Sequence, residues 1–313
     1  MRVRNWLILG VAALAIIALA TMATWRSLMD IATDPVMAPA IAMPLPEAGD
    51  EVAFGVVSRY NPRKIYRGYQ PIMDYLSEVT GRSFVLKLSD SYDQTVQQLV
   101  DGEVAFASLG NYTYIHAHAV HGIHGMAVPL NAAGQPFFHS VVVVRDDSPM
   151  QTMADIQGQD MAFTSKSSMS YWMALHLLRE VGLGCEDLGE TMNFRHHETV
   201  AEKVLRGEFD VGAVKDIVAR QYAAQGLRVL KTSPPIPAVP IAIQQNLDPD
   251  LVTSVLDALL DLNPGNPEAA KRMAAWDPEF SHGFAIAHDE DYDTMRQILQ
   301  PLGGLPTDLG DAP

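Results

Sequence analysis

The stretch from Met161 to Leu178 reads MAFTSKSSMSYWMALHLL, so a short apolar strand runs into a hydroxyl-rich turn and then into a helix. The first N–H groups of a helix have no helical partner, and the helix dipole makes that end positive. One serine is enough to cap a helix, so several hydroxyls beside unpaired N–H groups favour a bound oxyanion. Redundant capping in a polar loop is the alternative interpretation. The hydroxyls at this turn are Thr164, Ser165, Ser167, Ser168 and Ser170.

Outward from this turn, the chain alternates short strands with helices, a pattern typical of parallel α/β sheets. Two continuous apolar runs, Ser140–Arg145 and Val239–Ile243, indicate strands that are buried on both faces and cross between two lobes. We predict one lobe from residues 51–143 and 239–313, and a second from 144–238. Ligands of open α/β sheets bind beyond the carboxyl ends of the strands, so a cleft is expected between the lobes, with the crossings as hinges.

The N-terminus predicts a membrane anchor. Two arginines precede an uncharged run from Trp6 to Trp25, which is long enough to cross a bilayer as a helix. The arginines favour a cytoplasmic N-terminus and export of the rest of the chain. We therefore predict an anchor or uncleaved signal at 1–26, followed by a Pro-rich linker at 27–50. A cleaved signal peptide, which would leave a soluble protein, is the alternative because small residues near the end of the run suit a peptidase.

Composition limits the partners and the chemistry. The net charge of −15 argues against nucleic acid and anionic membrane surfaces as partners, whereas a small anion stays compatible with locally arranged donors. Cys185 is the only cysteine, so no disulfide can form within the chain and no lipidation site follows the apolar run. No Ser-His-Asp set, Gly-rich phosphate loop or paired-acid motif stands out. We predict no catalytic activity and no cofactor.

A histidine tract offers a competing function. His116, His118, His121 and His124 lie within nine residues, and imidazole is a good ligand for zinc or copper. On a helix, however, His118 and His121 share a face from which His116 points away, and no carboxylate or thiolate accompanies them. A solvated helix end is the favoured interpretation. We predict no metal site and keep metal binding as an alternative function.

Several stretches resemble, in order, motifs of the substrate-binding proteins of phosphate, phosphite and phosphonate ABC transporters, a branch of the type II periplasmic binding proteins. The resemblance runs from about residue 51 to 295. It implies an α/β, two-lobed type II periplasmic-binding-protein fold with two crossing strands. The apolar run at the N-terminus predicts one transmembrane helix before this fold. The stretches are YQPIMDYL at 69–76, AFASLGNY at 105–112, VVVVRDDSP at 141–149, DIQG at 155–158, SSMSY at 167–171, HETV at 197–200, DVGAV at 210–214 and TSPPIP at 232–237.

The resemblance also implies a site at the helix starts. Ser167, Ser168 and the Met169 backbone N–H would hold the oxyanion, and His197 would contribute from the next turn. The turn that holds Asn111 and Tyr112 would close over the oxyanion from the other lobe. Tyr60, in the first strand-to-helix loop, would line the cleft, and the cations of that loop either attract an anion or are merely solvated. An acidic residue after a strand would accept from the ligand or cap its own helix. The predicted contacts are Tyr60, Asn111, Tyr112, Ser167, Ser168, Met169, His197 and Asp216.

The function implied is capture of a small phosphorus oxyanion (a phosphonate, phosphite or phosphate) for an ABC permease in the same membrane. The protein would be periplasmic or extracytoplasmic, and anchored to the inner membrane by its N-terminal helix. A membrane-anchored sensor built from the same module is the other alternative, because a retained anchor is compatible with both roles. The bulky Met169, at a position where the family has small residues, leaves the identity of the ligand open.

Overall fold

The computed structural model describes residues 51–305, which belong to one compact unit of the chain. The predicted anchor and linker, residues 1–50, lie outside the described residues. Within 51–305, no helix has both the length and the apolar character needed to cross a membrane.

The described chain alternates strands and short helices. The strands are β1 (Glu51–Val56), β2 (Ser83–Leu88), β3 (Phe106–Ser108), β4 (His124–Pro129), β5 (Phe137–Phe138), β6 (Ser140–Arg145), β7 (Met161–Thr164), β8 (Thr191–Phe194), β9 (Val211–Lys215), β10 (Leu227–Thr232), β11 (Ile236–Pro237), β12 (Ile241–Ile243) and β13 (Phe284–Ile286). The α-helices are α1 (Pro62–Thr80), α2 (Tyr92–Val100), α3 (Asn111–His121), α4 (Met169–Glu180), α5 (His197–Leu205), α6 (Asp216–Tyr222), α7 (Pro249–Leu260), α8 (Pro267–Met273) and α9 (Asp293–Leu299).

Two mixed sheets form the centres of the two lobes. The first has the order β13-β4-β12-β3-β1-β2 and the second the order β10-β6-β9-β7-β8. Strand β1 runs parallel to β2 and β3, and β7 runs parallel to β8 and β9. The parallel pattern predicted from the sequence is present in these strands, whereas β12 and β6 run antiparallel to their neighbours. Each of these two strands comes directly after the chain has crossed between the lobes. It therefore runs opposite to the strands that are followed by helices.

The crossings themselves are the short strands β5 and β11, which pair antiparallel with Ile236 opposite Phe138. They lie just before the two apolar runs singled out in the sequence, and those runs belong to the sheets. Two paired strands between two sheets are the arrangement expected of a hinge. The lobe boundaries at 143 and 238 stay a prediction.

Local signals position the first loop of the site. Helix α1 begins at Pro62, because the Asn61 side chain accepts the Arg63 N–H at 3.0 Å and the fixed φ of proline suits the first helical position. Its apolar face includes Tyr69, which is fully buried. Burying such a side chain contributes about 1.5–3 kcal/mol, so α1 is held firmly and fixes the loop that precedes it.

Candidate functional site

A cavity of about 30 Å³ lies where helices of the two lobes begin. A water needs about 10–15 Å³ of such space, so the cavity has room for about two waters or one small tetrahedral group. Its wall is almost entirely buried and carries both apolar and hydrogen-bonding side chains. The lining residues are Arg59, Tyr92, Gly110, Asn111, Phe138, Ser168, Met169, Ser170, His197, Lys215 and Val239.

Ser168 brings a hydroxyl and a helix start to this cavity. It caps α4, and its Oγ accepts the Ser170 N–H at 3.3 Å. The same Oγ lies 3.3 Å from His197 Nε2. The start of α4, a hydroxyl and an imidazole therefore lie together in the cavity wall, an arrangement suited to an anion.

His197 presents a hydrogen-bond donor to the cavity. Its Nδ1 accepts the backbone N–H of Lys215 at 3.1 Å, so the proton of the neutral ring sits on Nε2. Burial is the main cause that lowers the pKa of His197, to about 3, and the nearby Lys215 and Arg59 charges act in the same direction. The imidazole is therefore neutral at pH 7 and donates through Nε2–H without carrying a charge.

The depressed pKa of His197 predicts acid sensitivity. The His197 imidazole has a pKa of 6.5 in the unfolded chain and of about 3 in the folded protein. Between these two pH values the unfolded state binds a proton that the folded state does not bind. The free energy of unfolding is therefore unaffected by protonation of His197 above pH 6.5 and falls by about 1.4 kcal/mol per pH unit below pH 6.5, until the folded pKa is reached. Urea unfolding at several pH values from neutral to acid should show that His197→Gln lacks this component of the loss. Equal acid losses in the variant and the parent would contradict it.

Two buried cations form another part of the wall. The Arg59 guanidinium, 4% exposed, donates to Ser108 Oγ at 2.6 Å and to Glu279 at 3.0 Å, and its Nε has no acceptor among residues 51–305. Lys215 also contacts Glu279, and burial, reinforced by the Arg59 charge, lowers the pKa of Lys215. One carboxylate is thus shared by two buried cations. An anion in the cavity would offset part of their desolvation cost.

The structure brings four of the sequence-predicted contacts together, since Asn111, Ser168, Met169 and His197 all line the cavity. Asn111 and Ser168 begin helices in different lobes. The cavity is therefore bounded from both sides, as the resemblance implied. Their role as ligand contacts stays a prediction.

The other four lie outside the cavity wall. The buried Tyr60 packs with its ring 6.4 Å from the His197 ring, behind the cavity. Tyr112 stacks on Trp172, with 5.2 Å between the ring centres. Tyr112 and Ser167 both line another groove, outside the cavity wall. Asp216 lines a larger cavity next to the first, where its carboxylate pairs with Arg220 at 2.8 Å.

Sequence reasoning did not select Arg59, Tyr92 or Lys215 as contacts. Arg59 belongs to the cations of the first strand-to-helix loop, for which the sequence predicts either solvation or attraction of an anion. Lys215 follows directly on the buried run from Val211 to Val214, and Arg59 lies just beyond the end of β1. Polar residues at the carboxyl ends of strands are the positions where α/β sheets place ligands, and that rule would have found both cations.

The two lobes touch through the rims of the site. Lys64 pairs with Glu198 at 2.6 Å, and His196 Nδ1–H donates to the Ser58 carbonyl at 3.1 Å. On the opposite rim, the Thr113 hydroxyl donates to the Ser167 carbonyl at 3.1 Å. These contacts close the cleft over the cavity.

The histidines of the tract take separate partners. His116 donates to the Gly304 carbonyl at 2.8 Å, His118 donates to the Ile123 carbonyl at 2.9 Å, and His124 contacts Gln245 at 2.8 Å. Within residues 51–305, no group of three or more His, Cys, Asp or Glu side chains is arranged to hold a metal ion.

The chain is similar to known transport proteins. The family model for the phosphonate periplasmic substrate-binding proteins of ABC transporters matches residues 54–292. The phosphonates-binding periplasmic protein of Escherichia coli is 22% identical over 272 residues, which cover 82% of this chain and 79% of that protein.

Solved structures show the same two-lobed α/β fold. A binding protein of an ABC phosphonate transporter from Pseudomonas aeruginosa has a TM-score of 0.71 at 19% identity, covering 83% of this chain and 90% of its own. PhnD1 from Prochlorococcus marinus, solved with methylphosphonate, has a TM-score of 0.73 at 14% identity, covering 82% of this chain and 99% of its own. The family and fold are those of transport proteins rather than enzymes, and they imply an extracytoplasmic location and a permease partner. This chain belongs to the family of periplasmic substrate-binding proteins of phosphonate ABC transporters.

Proposed function

We propose that the 30 Å³ cavity binds the tetrahedral head group of a small phosphorus oxyanion: a phosphonate, phosphite or phosphate. The observation that carries this proposal is the convergence of buried donors from both lobes on one cavity. Ser168, the start of α4 and the neutral His197 offer hydrogen bonds, while Arg59 and Lys215 supply positive charge. The relatives named for phosphonate binding support the same ligand class.

The expected affinity follows from the donors. A hydrogen bond to a charged oxygen contributes about 1.5–3 kcal/mol, and a few such bonds must also offset the entropy lost on association. A micromolar dissociation constant corresponds to about 8 kcal/mol, which four or five charge-assisted bonds can supply. Binding would be reversible enough for the ligand to pass to a permease.

We also propose that residues 1–26 hold the protein at the membrane. An uncharged run between basic residues supports an anchor, and the Pro-rich stretch at 27–50 would give the lobes reach toward a permease. Anchoring is independent of the ligand site, so either proposal can fail without the other.

Ligand binding should be visible as thermal stabilisation. A ligand at 100 times its dissociation constant stabilises the folded state by about 2.7 kcal/mol, which raises the melting temperature by several degrees. We expect methylphosphonate, phosphite or phosphate to produce this shift, and zinc at equal concentration to produce much less. No shift with any phosphorus oxyanion, or a shift with zinc alone, would contradict the proposed function.

A further inference from the structure

A second, larger cavity adjoins the first. Its volume is about 540 Å³, and it shares Phe138, Lys215 and Val239 with the 30 Å³ cavity. Most of its other lining residues are apolar. A ligand whose head group filled the small cavity could extend an organic substituent into the large one only by passing this shared wall.

Lys215 occupies that wall and is held on several sides. It is 5% exposed, its ammonium contacts Glu279, and it lies 3.7 Å from the centre of the Phe138 ring. Glu279 is fixed in turn by Arg59 at 3.0 Å. A cation so placed between a carboxylate and an aromatic face has little freedom to move aside.

The charges around the small cavity favour an anion and oppose a cation. Of residues 51–305, none with a carboxylate lines it, whereas Arg59 and Lys215 both do. Glu279 lines only the larger cavity and is already shared by the two cations. Asp216 lines the larger cavity too, and its carboxylate is engaged by Arg220 at 2.8 Å. A ligand ammonium in the small cavity would meet two positive charges and no carboxylate in the wall.

We infer that Lys215 restricts this site to compact, doubly charged tetrahedral oxyanions, with no substituent larger than about a methyl group and no ammonium tail. The inference rests on the proposed function and narrows its ligand class. Lys215 does two things here: it blocks the passage to the larger cavity, and it contributes the second positive charge that a dianion requires.

Calorimetric titration with four probes tests the inference: phosphate, methylphosphonate, phenylphosphonate and 2-aminoethylphosphonate. We expect one or both of the compact probes to bind the parent protein at least thirtyfold more tightly than the two extended ones. Lys215→Ala should weaken methylphosphonate at least tenfold. It should also reduce or reverse the preference over phenylphosphonate, because the larger cavity becomes accessible.

Controls separate the possible failures. Glu279 keeps Arg59 as partner in Lys215→Ala, so the variant should fold, and Lys215→Met provides a second variant that removes charge but keeps most of the bulk. Lys215→Met should weaken the compact anions yet still reject phenylphosphonate. Lys87→Ala removes a surface lysine that pairs with Glu103 and lines neither cavity, so it should leave the preference unchanged. Equal binding of all four probes by the parent, or an unaltered preference in Lys215→Ala, would overturn the inference. No binding of any of the four probes or of phosphite would overturn the proposed function itself.

Discussion

Replacing both Ser168 and His197 by alanine should weaken methylphosphonate binding at least a hundredfold. The two side chains lie 3.3 Å apart on the cavity wall, and each offers one hydrogen bond to a charged oxygen. Two such bonds contribute about 3–6 kcal/mol together, which corresponds to a loss of at least about a hundredfold. Calorimetry on the parent and the variant measures the loss, and circular dichroism checks that the variant is folded.

Ser167→Ala is the matched control, because Ser167 is in the same turn but lies outside the cavity wall. Its affinity should stay within about twofold of the parent, since no hydrogen bond to a buried ligand is removed. Should His197→Ala disturb folding, Ser168→Ala and Ser168→Thr form a second pair in which threonine retains the hydroxyl. A Ser167→Ala loss equal to that of Ser168→Ala would show that the structure has assigned the wrong face of the turn.

Replacing Glu279 by glutamine should lower the free energy of unfolding by about 3–5 kcal/mol, the usual cost of removing one partner from a buried ion pair. Glu279 is the shared partner of Arg59 and Lys215, and the three side chains are almost entirely buried. Urea unfolding measures the change. Added methylphosphonate should recover more stability in the variant than in the parent, because a bound dianion replaces the missing negative charge.

Glu190→Gln serves as the control for this change. Glu190 is exposed and, among the described residues, has no ion pair, so its replacement should alter stability by less than about 0.5 kcal/mol. Equal stability of Glu279→Gln and the parent would mean that the buried cations do not depend on this carboxylate. The charge argument for Lys215 would then lose its basis.

Much of the fold could be predicted because its causes are local. The strand–helix alternation and the serine cap of α4 depend only on residues that are close together in the sequence, and both are present in the structure. The direction of β6 and β12 could not be predicted, because the crossings that precede these strands turn them antiparallel to their neighbours. That depends on how distant segments meet rather than on their own sequence.

The site shows the same division. The chemistry of helix starts pointed to the turn that holds Ser168, and the family resemblance pointed to His197. Adjacent residues in a turn point in different directions, so sequence spacing could not separate Ser168 from Ser167. Arg59 and Lys215 were not predicted as site residues because charged residues are usually exposed. Their burial depends on an ion pair with Glu279, which is far away along the chain.

A crystal structure of the protein with methylphosphonate would test the central claim most directly. We predict a tetrahedral density in the 30 Å³ cavity, within hydrogen-bond distance of Ser168 Oγ and His197 Nε2, with Lys215 closing the side toward the larger cavity. Ligand density found only in the 540 Å³ cavity, with the smaller one holding water alone, would contradict the account.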